Sequence, residues 1–428
     1  MKVYKFGGAS VKDSQGVQNI AQLLSMEADT RIAVVLSAMG KSTNALEHIL
    51  NLSCHNDNWN DDFHLLKEYH NHICLDLFAK NHQVFREIES LFDELHELCM
   101  RAELLRYDFY YDQSVSYGEL LSTYIVSSYL NEKGLMCEWQ DARKLIFTDN
   151  HYRSAKVDLE KTSSAIRKAW RKSSGIFLTQ GFIGHDLEGN TTTLGREGSD
   201  YSAAILATSL GVDELTIWKD VDGVYDADPK IFNTTSLMDE LSYKEAIELA
   251  FYGASIIHPK TIQPLKKESI KLRVRSFYHT NQKGSLVSQY TGDENIILSR
   301  IVKKNQVLLS LTARDFSFIG VKNMEQIFHI LSVHHHHINL IQNSAISFSV
   351  CLDGNPVHFD AMIKELQKAY EVRYNTDLVL LTIRHYQPAL VEKIYAEVRF
   401  KLEQRNRSTF QILLTKNEFE QKLLPILD

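Results

Sequence analysis

The sequence lacks most of the features that would place a protein outside the cytoplasm or on a polyanion. Its five cysteines (Cys54, Cys74, Cys99, Cys137 and Cys351) are an odd number with no C-x-x-C pair, which argues for reduced, mostly buried thiols in a reducing compartment. Basic charge is not in excess. Lys and Arg total 47 against 54 Asp and Glu, a formal net charge of -7. Neither nucleic acid nor an anionic membrane is therefore an expected partner, and small-molecule chemistry is the default. No run approaches the ~20 apolar residues that span a bilayer, and the opening MKVYKFGGAS has no apolar signal core. A cytoplasmic location is expected. Metal-ligand spacings are missing too. The histidines between 47 and 106 (His55, His64, His70, His72, His82 and His96) form no H-E-x-x-H, and the internal run His334 to His337 cannot turn four consecutive side chains to one ion. No metal-ligating residues are expected, and no G-x-x-x-x-G-K-[ST] loop is present.

What remains is the profile of a globular enzyme: 428 residues, 44% hydrophobic and 24% charged, enough for two or three domains. Strands alternating with helices through about residue 290 predict a mainly parallel α/β sheet with helices on both faces. Val3 and Tyr4 begin a strand that breaks at Lys5-Phe6-Gly7-Gly8-Ala9-Ser10. Two adjacent glycines let backbone amides approach phosphate oxygens, and a loop lysine beside them can neutralise a phosphoryl group in transfer. Read alone, the segment is equally a tight structural turn. Ile32 to Leu36 is a second strand, followed by the small polar loop Ser37 to Asn44, so two loops sit where ligands bind open α/β sheets. A helical excursion follows, over about 47–110. Ser114 to Leu130 predicts an amphipathic helix with Glu119 near its first turn and on its apolar side, where a carboxylate needs either a structural cation or the ammonium of a substrate.

Gly175 to Gly184 reads as one strand leading to Thr191 to Ala204, TTTLGREGSDYSAA. There a glycine-broken turn runs into an apolar helical pattern that Gly211 ends. Ser199 and Asp200 suit the helix cap, the uncapped amides favour an anion, and Arg196 offers a two-bonded fork for carboxylate or phosphate. After the strand Glu214 to Trp218, the turn-rich run Lys219 to Lys230 combines acids, Tyr225 and a terminal cation in a way that suits a nucleotide. Leu241 to Pro264 reads as two helices around a short turn. Beyond about Ile296 the pattern changes to two short α+β units, Gln306 to Gln367 and Leu378 to the end.

Taken in order, the Lys5 to Ser10 loop, the Ser37 to Asn44 loop, Tyr117-Gly118-Glu119, Thr179 to Gly184, Leu194 to Ala204, Trp218 to Lys230 and Gly253 to Pro259 resemble the aspartate kinases. The tail resembles that family's paired ACT units. The resemblance implies a three-layer amino-acid-kinase fold at 1–295, followed by a smaller ferredoxin-like α+β regulatory domain at 296–428, its units at about 301–372 and 373–428. It implies transfer of a phosphoryl group from ATP, with Mg2+ held mainly through the nucleotide phosphates, to the side-chain carboxylate of L-aspartate. A homodimer through the ACT-like units and an amino-acid effector are implied as well. Another amino-acid kinase of this fold, or a weakened amino-acid sensor, is the alternative.

Carried over residue by residue, Lys5 stabilises the phosphates in flight and Asp200 orients it. Gly7, Gly8 and Ser37 contact phosphate. Arg196, with Thr43 and Ser199, grips the substrate carboxylate, and Glu119 takes the ammonium. Asp220, Tyr225 and Lys230 belong to the nucleotide run. Three positions depart from the commoner family form. Glu197 replaces a glycine, Lys230 replaces an arginine, and Ser255 replaces a lysine whose charge Lys260 can supply. In the tail, Asn339 and Ala345 stand where lysine-inhibited members carry carboxylates, which predicts weak inhibition by lysine; Asp315 or Asp353 is the alternative source of charge.

Overall fold

The computed structural model describes residues 1–27, 31–254, 257–289, 297–315, 317–354 and 358–428. Within them the chain divides into two compact units, the first comprising 1–224, 237–247 and 255–292, the second 225–236, 248–254 and 293–428.

In the first unit, strands with apolar residues on both faces fold as a parallel sheet covered on both sides. Its strands are Lys2–Phe6 (β1), Ile32–Leu36 (β2), Cys137–Gln140 (β3), Ile176–Gln180 (β4), Glu214–Lys219 (β7), Glu240–Ser242 (β8), Lys271–Ser276 (β9) and Ser285–Ser288 (β10), with Ile183–His185 (β5) and Thr191–Thr193 (β6) forming a separate pair. The large sheet runs β3-β4-β2-β1-β7-β9-β10-β8, parallel from β3 to β9, with β10 antiparallel to β9. The carboxyl ends of β4, β2, β1 and β7 therefore lie side by side. Backbone bonds tie their exits together: Ser37 donates to Phe6 and Gly181 to Leu36.

Helices Ser14–Ser25 (α1), Ser42–Cys54 (α2), Asn60–Leu77 (α3), Val84–Met100 (α4), Tyr107–Glu132 (α5), Leu159–Lys172 (α6), Gly198–Leu210 (α7) and Pro259–Lys267 (α9) complete it, while Tyr243–Tyr252 (α8) is divided between the two units after residue 247. Asp13 caps α1 by accepting from the Gly16 amide, and His258 caps α9 ahead of Pro259. The core of this unit joins Phe6, Val34 and Leu178 of the sheet to Phe63, Phe92 and Leu121 of α3, α4 and α5. Histidines contribute to it as well; His70 is fully buried.

Three local expectations are corrected. The span Gly175 to Gly184 is two strands, because Phe182 takes a left-handed φ of 68° and turns the chain out of the large sheet. Helix α5 begins at Tyr107, so Glu119 lies well inside it rather than near its start. Helix α7 is capped by neither Ser199 nor Asp200. Its cap is Glu197, at φ 53° and without a side-chain bond, and Ser199 and Asp200 lie in the first turn.

The second unit is a six-stranded antiparallel sheet of Ser299–Ala313 (β11), Ile338–Asn343 (β12), Ser347–Asp353 (β13), Tyr370–Arg384 (β14), Leu402–Arg405 (β15) and Thr409–Thr415 (β16), in the order β12-β13-β11-β14-β16-β15. Strands β11 and β14 are 15 residues each and pair along their whole lengths, from Ser299 opposite Arg384 to Ala313 opposite Tyr370. One sheet thus serves several cores, one around Leu309, Ile327, Phe348 and Leu366, a second around Leu381, Ile394, Phe410 and Phe419, and a third around Leu308, Leu340, Cys351 and Leu413. The expected division at 372/373 falls within β14, and the expected cut at 295/296 involves residues outside those described. Phe232, from a segment expected in the catalytic part, packs in the second of these cores beneath the Arg300 guanidinium.

All five cysteines are free and buried. Among the described residues no helix is long and apolar enough to cross a membrane.

Candidate active site

The first unit carries a cavity of about 550 Å3 lined by Lys5, Ser37, Thr43, Asn44, Tyr111, Glu119, Arg153, Phe182, Gly195, Arg196, Glu197, Gly198 and Ser199. Six residues expected from the sequence meet there: Lys5, Ser37, Thr43, Glu119, Arg196 and Ser199. They come from separate elements because the sheet order stacks the exits of β1 and β2 against the start of α7.

Lys5 is not a surface-facing loop residue. It lies within β1, 6% exposed, with its ammonium 2.6 Å from Oδ1 of the fully buried Asp200. Asp200 also holds Lys219, 3.3 Å from its other oxygen. Burial alone would raise the Asp200 carboxyl, but the two ammonium groups outweigh it and hold the pKa down at about 2. Burial would lower the Lys219 ammonium, but the carboxylates of Asp200 and Glu197 keep it above its ordinary value.

Glu119 is the opposite case. It is buried, its Oε1 accepts the Ala38 amide at 3.2 Å, and its Oε2 has no partner among the described residues. Burial pushes its pKa up to about 8, an effect that the Ala38 amide and Lys5 only partly offset. Among the described residues no cation forms an ion pair with it, which disfavours the salt-bridge reading and leaves a buried acceptor at the cavity wall.

The two loops of the β1 and β2 exits touch closely. The Gly40 amide donates to the Gly8 carbonyl at 3.0 Å, and a β-carbon on Gly8 would lie 2.8 Å from the Ala38 carbonyl oxygen and 2.9 Å from that of Gly40. Only glycine fits at position 8. Gly7 adjoins the Lys5 ammonium, at 3.6 Å from where its β-carbon would stand. In the grip loop both Gly195 (φ 76°) and Glu197 (φ 53°) are left-handed, so position 197 has the backbone that explains a glycine in the commoner family form. The Glu197 carboxylate lies 4.0 Å from Lys219. Arg196 is exposed at the cavity edge, and no carboxylate among the described residues pairs with it.

Lys260 is not among the residues lining the cavity; its ammonium donates to the Leu194 carbonyl at 2.8 Å and lies over the Tyr201 ring. Ser255 lies outside the described residues. Asp220 follows β7 and is exposed, whereas Tyr225 and Lys230 belong to the second unit.

Arg153, Tyr111, Phe182 and Lys219 were not singled out as site residues. Arg153 is left-handed at φ 66°, its amide held by both oxygens of the buried Asp112 and its guanidinium by Glu47 at 3.1 Å. Asp112 also takes the amide and hydroxyl of Thr193, so one carboxylate fixes both this turn and the strand that enters the grip loop. No local sequence pattern announces such an anchor. Among the described residues no group of three or more His, Cys, Asp or Glu side chains is arranged to hold a metal ion.

Residues 1–276 match the profile of the amino acid kinase family. The chain is 30% identical over 393 residues to the lysine-sensitive aspartokinase 3 of Escherichia coli, covering 89% of this chain and 86% of that one. It is also 30% identical to the chloroplastic aspartokinase 1 of Arabidopsis thaliana, over 86% of this chain and 67% of that one. Crystal structures of Escherichia coli aspartokinase III superimpose with TM-scores of 0.84 for the complex with lysine and aspartate and 0.83 for that with aspartate and ADP. Both are 28% identical, and the first covers 100% of this chain and 98% of its own. By sequence along most of its length, and by its fold, the chain belongs to the aspartokinases of the amino acid kinase family.

Proposed function

We propose that this protein transfers the γ-phosphoryl group of ATP to the side-chain carboxylate of L-aspartate, forming 4-phospho-L-aspartate and ADP, the first step toward lysine, threonine and methionine. The observation that carries the reading is the sorting of charge in the cavity. A buried acceptor oxygen on Glu119 awaits a cation, Arg196 offers a fork to an anion, and Lys5 lines the same cavity as a cation held by Asp200. An amino acid with a second carboxylate satisfies all three.

In this reading Glu119 receives the substrate ammonium and Arg196 the α-carboxylate, with Thr43 and Ser199 beside it. The side-chain carboxylate then faces Lys5, whose position Asp200 fixes, so the ammonium is in place before charge develops on the phosphoryl oxygens. Amides at Gly7 and Gly8, and the side chain of Ser37, contact the phosphates. Asp220, which follows β7, contributes to nucleotide binding. Mg2+ is read as an ion carried mainly on the nucleotide phosphates, where it would neutralise their charge. The second unit is the regulatory part, a site for an amino-acid effector and the contact of a cytoplasmic homodimer.

A coupled assay of ADP release with L-aspartate, L-glutamate and N-acetyl-L-glutamate tests the reading. Aspartate-dependent release is expected, and preference for either glutamate substrate would defeat it.

A further inference from the structure

Four ionisable side chains form a row of alternating sign at the carboxyl ends of β1 and β7. Lys5 lies 2.6 Å from Asp200, Asp200 lies 3.3 Å from Lys219, and Lys219 lies 4.0 Å from Glu197. The side chains of the first three are 7%, 0% and 16% exposed, whereas that of Glu197 is 36% exposed and lines the cavity. Two ammonium groups and two carboxylates sum to zero; without Glu197, which lines the cavity beside Lys219, the row would carry a net positive charge. Glu197 reaches this place from left-handed backbone at φ 53°, which a residue with a β-carbon adopts only when its surroundings impose it. A glycine would meet the backbone demand with less strain and would leave Lys219 without this carboxylate.

The two lysines occupy adjacent parallel strands, where anionic ligands approach an open α/β sheet. Paired cations suit the several charges of a phosphate chain, and the single α-carboxylate of the amino acid already has Arg196.

We propose that Glu197 is a positioning residue of the phosphate subsite. It masks Lys219 and holds it in line with Asp200 and Lys5 before the nucleotide arrives, then yields it to a phosphate group. The proposal rests on the ATP-dependent reading given above. Its consequence is a nucleotide affinity set below what the lysine pair alone would give, in exchange for an ordered pair of cations.

The test is the dissociation constant of ADP by titration calorimetry, alongside KM for ATP and for aspartate, in the whole protein and its Glu197→Gln variant. Glu197→Gln should lower Kd for ADP and KM for ATP together, by about three- to tenfold, the range of a partly exposed to moderately shielded ion pair. KM for aspartate should not follow. Lys219→Met should weaken ADP, and the double variant should lose the gain made by Glu197→Gln. Glu197→Gly, which also relieves the left-handed backbone, provides the same reading if the glutamine variant folds poorly. An unchanged or raised Kd for ADP, a gain that persists without Lys219, or a fall in KM for aspartate instead would overturn the proposal. Binding of ADP needs no turnover, so failure of the wild-type protein to phosphorylate aspartate would defeat the proposed function and leave this measurement readable.

Discussion

Replacing Glu119 by glutamine probes the amino-acid half of the site. The carboxyl group is buried, has one oxygen without a partner among the described residues, and burial pushes its pKa up to about 8. At neutral pH it is mostly protonated, and it must release that proton to hold an ammonium ion as a carboxylate. Aspartate binding should therefore strengthen as pH rises from about 6 to about 8, by up to roughly tenfold per unit, and level off above. The effect on folding runs the other way. The folded pKa lies above the ordinary value of 4.5, so the folded state holds more protons between these two values. Stability is full below this window and falls as pH rises through it. In Glu119→Gln both dependences should flatten. Loss of a charged hydrogen bond of about 1.5 to 3 kcal/mol should raise KM for aspartate roughly tenfold to a hundredfold. Steady-state kinetics against pH at saturating ATP give the first quantity. Calorimetry of aspartate binding in two buffers of different ionisation enthalpy gives the released proton. A glutamine variant with the wild-type KM and the wild-type pH profile would refute the assignment.

Lys5→Ala should lower kcat on the order of 10² to 10³ by removing a preorganised cation. Because Lys5 is buried against Asp200, it should also lower the melting temperature, and a variant with wild-type turnover would remove Lys5 from the mechanism. Arg196→Ala should raise KM for aspartate far more than KM for ATP with little effect on melting, since the guanidinium is exposed; selective weakening of ATP would reverse the assignment of that loop. Millimolar lysine should barely inhibit. Asn339 is already engaged by Lys303 at 2.6 Å and by Gln306 and Asp353 at 2.7 Å each, and Asp353 is itself shared with Gln306. The missing carboxylates should cost some 1.5 to 3 kcal/mol per lost charged hydrogen bond. Titrating lysine and threonine, singly and together, against activity and melting temperature checks this, and tight inhibition by lysine alone would contradict it.

The parts of the fold that were legible are those whose signal is local. The continuous apolar run of Ile32 to Leu36 marks a buried parallel strand, and Gly211 ends α7 with φ 65° as its position suggests. What required the structure depends on distant partners. Phe182 is an unremarkable strand residue in sequence, yet its left-handed backbone splits the strand and brings its ring to the cavity. Lys5 next to two glycines looks like a loop residue, and only the order of β2, β1 and β7 shows that it is buried. Ser199 and Asp200 have the right chemistry for a cap, but Asp200 is committed to two lysines and the chain enters the helix through Glu197. Arg153 is invisible for a similar reason, since the carboxylate that fixes it, Asp112, is 41 residues away. The 15-residue strands β11 and β14 unite what looks in sequence like two separate α+β repeats, because pairing over such lengths is a tertiary property.

The central claim is that a carboxylate of aspartate, rather than a hydroxyl or an amine, receives the phosphoryl group. Hydroxylamine traps an acyl phosphate as a hydroxamate, which can be quantified against ADP formed in the same reaction. Incubation with ATP, Mg2+ and L-aspartate should yield β-aspartyl hydroxamate in equal amount to ADP, and none with L-asparagine, whose side chain offers no carboxylate. ADP formed without hydroxamate, or hydroxamate formed as readily from L-glutamate, would contradict the account.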